Sequence, residues 1–283
     1  MLGTTLLLLN ATAQVHTFGN NLDFVNHLFK NKLFKETIIA LENIDTTNFN
    51  KQQFDSLYYY KGYSNYSTAQ FSEAQKDFLA VSLQSNKYKF SVFHAALIAS
   101  QLNNYLASAL ILDSIQIAPS DTLYCSLLHI EKAGVALLGR NLQRYAILDT
   151  TLPIEENNFT AEKKRLNNSY LKLLHHKDKS PLIAGLMSGL LPGAGKYYVG
   201  KKGQGLSAFF TQAVLGLLTY EAYQQGGIKS LACISYASLF SLFYIGNVWG
   251  SVTTAKTTNK EFNQSINNEI MFTLKLPFGY VFR

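Results

Sequence analysis

The chain has only two cysteines, Cys125 and Cys233. One lies in a region of helical periodicity and the other in an apolar run. No disulfide framework and no Cys-x-x-Cys site follows from them, and both read as small buried residues. Charge is the second shortage. Asp, Glu, Lys and Arg make up 15% of the 283 residues, against about a quarter in an ordinary soluble domain. The deficit is concentrated after Ser180: no charged residue occurs from Gly203 to Tyr220, and none from Ser230 to Ser251. Reaction chemistry is the third. There is no Gly-x-Ser-x-Gly, no His-Glu-x-x-His and no paired-carboxylate constellation. Histidines 16, 27, 94, 129, 175 and 176 are scattered, and the neighbours His175 and His176 do not share a helix face. The sequence therefore nominates no catalytic residue, no cofactor and no metal ligand, and reads as a non-enzyme.

What is present changes character along the chain. Residues 21–177 show helical periodicity with weak self-similarity. Four segments line up: Leu33–Ile38, Gln70–Gln75, Asn104–Ala109 and Asn141–Ala146. Each opens an amphipathic helix with a bulky apolar residue shortly before a small one. They recur at roughly 34–37 residues, the period expected of helix-turn-helix arrays. One such pair cannot bury its apolar stripe alone, so stacking is expected. A helix over Phe159–Lys177 would protect the end of the stack, with Lys163, Lys164 and Arg165 on one side and Leu166, Tyr170, Leu173 and Leu174 on the other. The tyrosines at 58, 59, 60, 63 and 66 fit packing between units better than a base-stacking platform.

The second unit resembles the tetratricopeptide repeat through Tyr59-Tyr60-Lys61-Gly62-Tyr63, then Phe71, Ala74 and Phe78. In that family a Gly in the first helix and an Ala in the second let the two helices approach closely, with aromatics around the Ala filling the groove between neighbours. The resemblance implies this packing role for Gly62, Phe71, Ala74 and Phe78, and for Gly134 and Ala146 in the last unit. Thr37 departs from the pattern, and the third unit lacks the Gly.

Leu206–Tyr223 and Ile228–Trp249 are uncharged or nearly so and close to the roughly twenty residues that cross a bilayer. Gln224-Gln225-Gly226-Gly227 is the turn between them, and Glu221 reaches headgroup level. The same segments also fit a buried helical pair in a soluble core. Pro181–Leu191 is too short to span and reads as an interfacial helix stopped by Pro192-Gly193. Residues 256–283 read as a polar tail, within which Glu269–Leu276 alternates like a short strand or an extended segment.

Gly193-Ala194-Gly195-Lys196 looks superficially like a nucleotide loop. A P-loop needs a Gly where Leu190 stands and a Ser or Thr where Tyr197 stands, and Tyr198 replaces the last Gly of the dinucleotide pattern. Packing is the better use. Gly193 and Gly195 permit a tight turn, and Tyr197 and Tyr198 suit the membrane–water boundary. Gly200 follows them. Gly203 and Gly205 open the next helix where neighbours touch.

Leu-Pro-Gly-x-Gly followed by Tyr, Gly-Lys and a two-helix hairpin resembles a small two-span membrane domain of poorly characterised bacterial envelope proteins. Tyr244–Gly250 is similar to the end of the second helix of that group. The resemblance implies membrane residence and a shared fold, and no reaction. The expected fold class is all-α: a tetratricopeptide-like helical-repeat solenoid followed by a transmembrane helical hairpin.

The net charge of +7 does not form one nucleic-acid-binding stripe. It gathers at Lys163, Lys164, Arg165, Lys172, Lys177 and Lys179, then at Lys196, Lys201 and Lys202, beside the apolar region. Anionic headgroups or plain solubility explain it, and no nucleic acid is expected as a partner. The expected partners are the lipid bilayer and a protein or peptide on the repeat surface, with the oligomeric state open. Residues 1–13, ending in Ala11-Thr12-Ala13, resemble a signal peptide without its basic leader; an ordinary hydrophobic helix is the alternative. Export would put the repeats in the periplasm at the bacterial inner membrane. The basic flanks of the hairpin favour the cytoplasm instead. A membrane-anchored, non-catalytic interaction scaffold is the expected function. A hairpin that itself aids membrane-protein insertion or transport is the alternative.

Overall fold

The computed structural model describes residues 22–151 and 159–282. The expected signal peptide, residues 1–13, lies outside the described residues. The protein is all-α: among the described residues there are thirteen helices and no strand. Two compact units divide it, one holding the residues up to Leu174 together with those from Glu269 onward, the other holding His175–Asn268.

The first unit is built from consecutive helices that pack on their chain neighbours. These are α1 Leu22–Lys30, α2 Phe34–Glu42, α3 Lys51–Ser67, α4 Phe71–Leu79, α5 Tyr88–Gln101, α6 Tyr105–Ser114, α7 Thr122–Leu138, α8 Leu142–Thr151 and α9 Thr160–His175. Four of the turns between them share one conformation. Lys32, Ala69, Asn103 and Arg140 each hold a left-handed φ, between 58° and 62°. The amide of the following residue donates to the carbonyl five residues back: Leu33 to Leu28, Gln70 to Asn65, Asn104 to Ala99 and Asn141 to Ala136, at 2.8–3.0 Å. That bond satisfies a carbonyl which the helix end would otherwise orphan. None of the four residues is Gly, so each turn carries about 1–2 kcal/mol of left-handed strain, held by the packing of the pair. The turns coincide with the four segments aligned in the sequence.

Counting from these turns fixes which side chains are equivalent. The fourth position of α2, α4, α6 and α8 is Thr37, Ala74, Ser108 and Tyr145, and all four are buried. On the preceding helices the counterparts of Gly62 are Val25, Ala96 and Ala133, again all buried. Gly62, Ala74, Phe78 and Phe71 do meet: a methyl at position 62 would lie 2.8 Å from Phe78 Cδ1, and Ala74, Phe78, Ala95 and Ile98 form one core cluster with Phe71 against it. Tyr59, Tyr63 and Tyr66 line the same cluster, while Tyr58 and Tyr60 pack on the cluster of Val25, Leu41, Ile44 and Leu57. In the last unit the expected pair is one residue out of register. Ala146 is exposed while Tyr145 is buried, and Ala133 takes the place expected for Gly134. One residue turns a helix by about 100°, so Gly134 faces elsewhere.

Tyr145 stacks on Tyr170 of α9, ring centroids 4.8 Å apart, and Leu166 is buried there. Leu174, expected on the same apolar side, is exposed.

The second unit contains α10 Pro181–Leu190, α11 Ala194–Tyr198, α12 Lys202–Gly226 and the first part of α13, Leu231–Val281. Gly227, with φ +70°, makes the turn between the long helices. The expectation of a strand or an extended tail over residues 269–276 is overturned. Helix α13 runs through the polar stretch to Val281. Its buried positions Ser251, Ala255, Ile266, Ile270 and Leu274 follow a helical stripe. The local alternation of Glu269–Leu276 is coincidental, since Thr273 and Leu274 are buried side by side.

Candidate functional site

The Leu-Pro-Gly-x-Gly turn is held by backbone approach that only glycine allows. Ser180 caps α10, its Oγ accepting from the Ile183 amide at 3.4 Å, and Pro181 occupies the first turn, where no donor is needed. Pro192 sits in the turn that follows α10. Gly193 has φ +86°, and a methyl there would overlap the Gly205 carbonyl, lying 2.9 Å from its carbon. A methyl on Gly195 would overlap the Ala184 carbonyl and lie 2.6 Å from Ser188 Oγ. The pairs Gly193/Gly205 and Gly195/Ala184 thus bring the start of α12 and the middle of α10 against the turn. Gly200, with φ +93°, faces open space. A methyl on Gly203 would meet nothing within 4 Å, so the close helix contact expected there falls to Gly205. Tyr198 packs against Ala184, Val199 and Ala255, and its hydroxyl accepts from the Ser180 amide at 3.4 Å. Tyr197 is exposed, with Lys202 Nζ 5.6 Å from its ring centre.

Beneath the turn runs a chain of hydrogen bonds with one direction. The Gly195 amide donates to Ser188 Oγ at 2.9 Å. Ser188 and Ser251 hydroxyls are 2.7 Å apart, and Ser251 Oγ donates to the Asn247 carbonyl at 2.9 Å. Because Ser251 spends its proton on Asn247, Ser188 is the donor between the two hydroxyls. Both serines are fully buried. Every member is satisfied, which is what a buried polar network requires. The Tyr244 hydroxyl adds a bond to the Gly189 carbonyl.

Beside this network a cleft of about 740 Å³ opens between α12 and α13. Its lining includes Lys196, Gln204, Ser207, Thr211, Gln212 and Asn247, with Gly203 and Phe243, and no carboxylate. Gln212 is 4% exposed and Asn247 6%. Gln212 Oε1 and both polar atoms of the Asn247 side chain have no hydrogen-bond partner. Such groups are costly to bury unsatisfied, about 1–3 kcal/mol each. The sequence reading singled out the glycines and tyrosines but missed Ser188, Gln212, Asn247 and Ser251. Their signal was available: polar side chains inside otherwise apolar runs are expensive and mark functional or packing sites.

The first unit has a second notable set of side chains. Gly134, expected to pack a repeat, instead makes room for Leu274 of α13: a methyl there would come within 2.9 Å of Leu274 Cγ. Ile270 and Leu274 are fully buried. His94 stacks on Phe90 at 3.8 Å and meets Phe278 edge-on at 4.7 Å. Phe282 packs on Phe90 and Tyr124, and the Tyr280 hydroxyl donates to Glu162 Oε1 at 3.2 Å. Burial holds the His94 imidazole down to about 4, against the opposing hydrogen bond to the Phe90 carbonyl. Burial also pushes the Glu131 carboxyl well above the usual carboxylate range, and its Oε1 has no partner. Among the described residues no group of three His, Cys, Asp or Glu side chains is placed to hold a metal ion.

One helix among the described residues, Leu231–Val281, is long and apolar enough to cross a membrane, and only 11% of its most apolar stretch is buried. No protein-family profile, curated protein or solved structure matches the chain.

Proposed function

We propose that the protein is a membrane-anchored scaffold of tetratricopeptide-like helical repeats that mediates protein–protein interaction in the bacterial envelope and performs no catalysis. The observation that carries the anchor is the outward apolar surface of the second unit. Phe210, Val214 and Leu217 on α12, and Ile234, Leu242, Phe243, Ile245 and Trp249 on α13, are exposed, up to 71% for Trp249. Water tolerates contiguous apolar surface only to a few hundred Å², whereas a bilayer covers it without cost. Of the two long helices only α13 is apolar enough to span by itself; on this reading α12 crosses beside it as its partner. Tyr197, Lys201 and Lys202 then stand at the headgroup level.

The repeat reading is supported by the four equivalent turns and by the equivalent buried positions that follow from them. Leu274, Phe278 and Phe282 of the same chain pack on α5 and α7, the first helices of their pairs, and on this reading they take part of the surface a ligand would use. A partner therefore competes with that segment or uses the opposite face, where Ile39, Leu106, Leu110 and Ile147 are exposed on the second helices of the pairs. For the orientation we adopt the periplasmic side, which the signal-peptide-like residues 1–13 favour, over the cytoplasmic side, which the basic flanks of the hairpin favour.

The test uses the full chain with phosphatidylcholine vesicles. The protein is expected to float with the vesicles and to stay with them at alkaline pH; recovery as a monodisperse soluble species would overturn the anchor. In spheroplasts, labelling of Cys125 by an impermeant thiol reagent is expected; labelling only after lysis reverses the orientation.

The partnerless amides of Gln212 and Asn247 favour a second reading, in which the hairpin itself aids insertion or transport of other membrane proteins. Asn247→Leu separates the two. A scaffold keeps its activity in that variant, and a working hairpin loses it while remaining anchored.

A further inference from the structure

We propose that the cleft between α12 and α13 binds an anionic lipid whose headgroup is a polyol phosphate ester, as in phosphatidylglycerol. One acyl chain lies along the apolar groove that adjoins the cleft. The inference rests on the membrane reading above and adds a specific ligand to it.

The cleft is built for a group that is both anionic and rich in hydroxyls. Lys196 is the charged residue of its lining, and no carboxylate accompanies it. Among the described residues no ion pair or hydrogen bond engages the Lys196 ammonium, though the Lys196 carbonyl accepts from the Lys201 amide at 3.0 Å. The Lys201 ammonium, close by in sequence, pairs with Glu261 at 3.6 Å. Position 250 is Gly, and a methyl there would lie 3.7 Å from Lys196 Nζ, so the lysine stem rests directly on α13. A phosphate oxygen satisfies this ammonium. Asn247 Nδ2 is a second donor without an acceptor. The partnerless acceptors, Gln212 Oε1 and Asn247 Oδ1, ask for O–H donors, which a glycerol headgroup supplies and a choline headgroup does not.

Membrane helices often use such amides to bind one another. Here neither Gln212 nor Asn247 makes that bond, though both line the same cleft, so helix association leaves them unexplained. A second groove of about 440 Å³ is lined by Phe210, Val214 and Leu215 and shares Thr211 and Phe243 with the cleft. The polar cleft and the apolar groove therefore adjoin at Thr211 and Phe243. From Gln204 to Leu215 the helix rises about 16 Å, the reach of a lipid acyl chain. The polar end adjoins Lys196 and the exposed Tyr197, where a headgroup belongs.

The experiment takes the full-length protein in neutral detergent micelles and measures bound lipid by native mass spectrometry. One phosphatidylglycerol per chain is expected to be retained, and phosphatidylcholine is not. Lys196→Gln and Asn247→Leu are each expected to weaken phosphatidylglycerol retention about tenfold. Lys229→Gln, which removes an exposed charge in the turn between α12 and α13, outside the cleft, is expected to leave it unchanged. Millimolar glycerol 3-phosphate tests a free headgroup as the source, and failure to displace the lipid is expected. Equal retention of the two lipids, or unchanged retention in Lys196→Gln, overturns the proposal. Displacement by glycerol 3-phosphate overturns the acyl-chain part. Flotation with phosphatidylcholine vesicles is run beside it. Wild type and Lys196→Gln floating alike keeps the anchor reading intact whatever the lipid result, and a wild type that does not float removes both.

Discussion

Leu274 of α13 fills the space that Gly134 leaves on α7, its Cγ lying 2.9 Å from where a methyl at position 134 would be. The end of α13, from Glu269 onward, is thereby a packed part of the first unit. Gly134→Val forces the two apart and is expected to destabilise that unit by about 1–3 kcal/mol, as overpacking does. Leu274→Ala leaves a cavity and is expected to cost about 2–5 kcal/mol. In the double variant the new side chain enters the vacated space, so the combined loss falls short of the sum by about 1 kcal/mol or more. Urea unfolding in micelles, followed by circular dichroism, measures all three. Strict additivity would mean that the two residues do not meet.

His94 makes the same packing sensitive to acid. Its folded pKa, about 4, lies below the roughly 6.5 of an unfolded histidine. The neutral ring therefore contributes its stability fully above about pH 6.5, and loses it as pH falls toward 4, by up to about 3 kcal/mol. Amides of residues 278–282 are expected to gain hydrogen exchange first across that window. His94→Phe keeps the aromatic contacts and removes the proton site. Its exchange is expected to be flat where the wild type rises, and identical acid profiles would exclude His94 as the cause.

Much of this arrangement could be read from residues alone, and the failures have specific causes. The turn segments were legible because a bulky residue at the start of α2, α4, α6 and α8 recurs at a near-constant period. The break at Pro192-Gly193 was legible because proline and glycine restrict the backbone locally. The register of the last unit was not. Gly134 and Ala146 each sit beside a residue that also fits, Ala133 and Tyr145, and small size alone does not say which face a residue occupies. The end of α13 was hidden by polar residues on its exposed side and by a short alternation over 269–276. Only the longer spacing of Ile266, Ile270 and Leu274 reveals the helix. Gln212 and Asn247 carried a cost that composition did not flag, since uncharged amides do not interrupt a run defined by charge.

Glu131 is expected to behave oppositely to His94. Burial raises its folded pKa above the unfolded value. Its contribution is therefore most favourable below the unfolded value, about 4.3, and declines as pH rises through the folded one. Glu131→Gln removes the charge while keeping the shape. It is expected to raise the melting temperature at pH 8 by the equivalent of about 1 kcal/mol or more, with the gain shrinking at pH 5. Measuring the pair in a His94→Phe background keeps the two titrations apart. A gain that grows toward acid pH would show that the carboxyl is paired in solution.

The hydroxyl chain from Gly195 to Asn247 predicts an order of damage. Ser188 is its only member that both accepts and donates between helices. Ser188→Ala strips a buried backbone amide of its acceptor, at about 1–3 kcal/mol. Ser251→Ala is milder: the Gly195 amide keeps its partner, and the Ser188 proton can turn to a carbonyl of its own helix. Gly195→Ala is the most severe, because its methyl would overlap the Ala184 carbonyl and backbone yields less readily than a side chain. Trp249, the only tryptophan in the chain, sits two residues from Asn247 within the second unit and reports this region separately from the repeats. Its emission is expected to shift at successively lower denaturant for wild type, Ser251→Ala, Ser188→Ala and Gly195→Ala, while the helical signal of the first unit keeps its midpoint. Ser251→Ala proving as damaging as Ser188→Ala would reverse the direction assigned to the proton between the two hydroxyls. The Asn247 carbonyl would then no longer be its terminus.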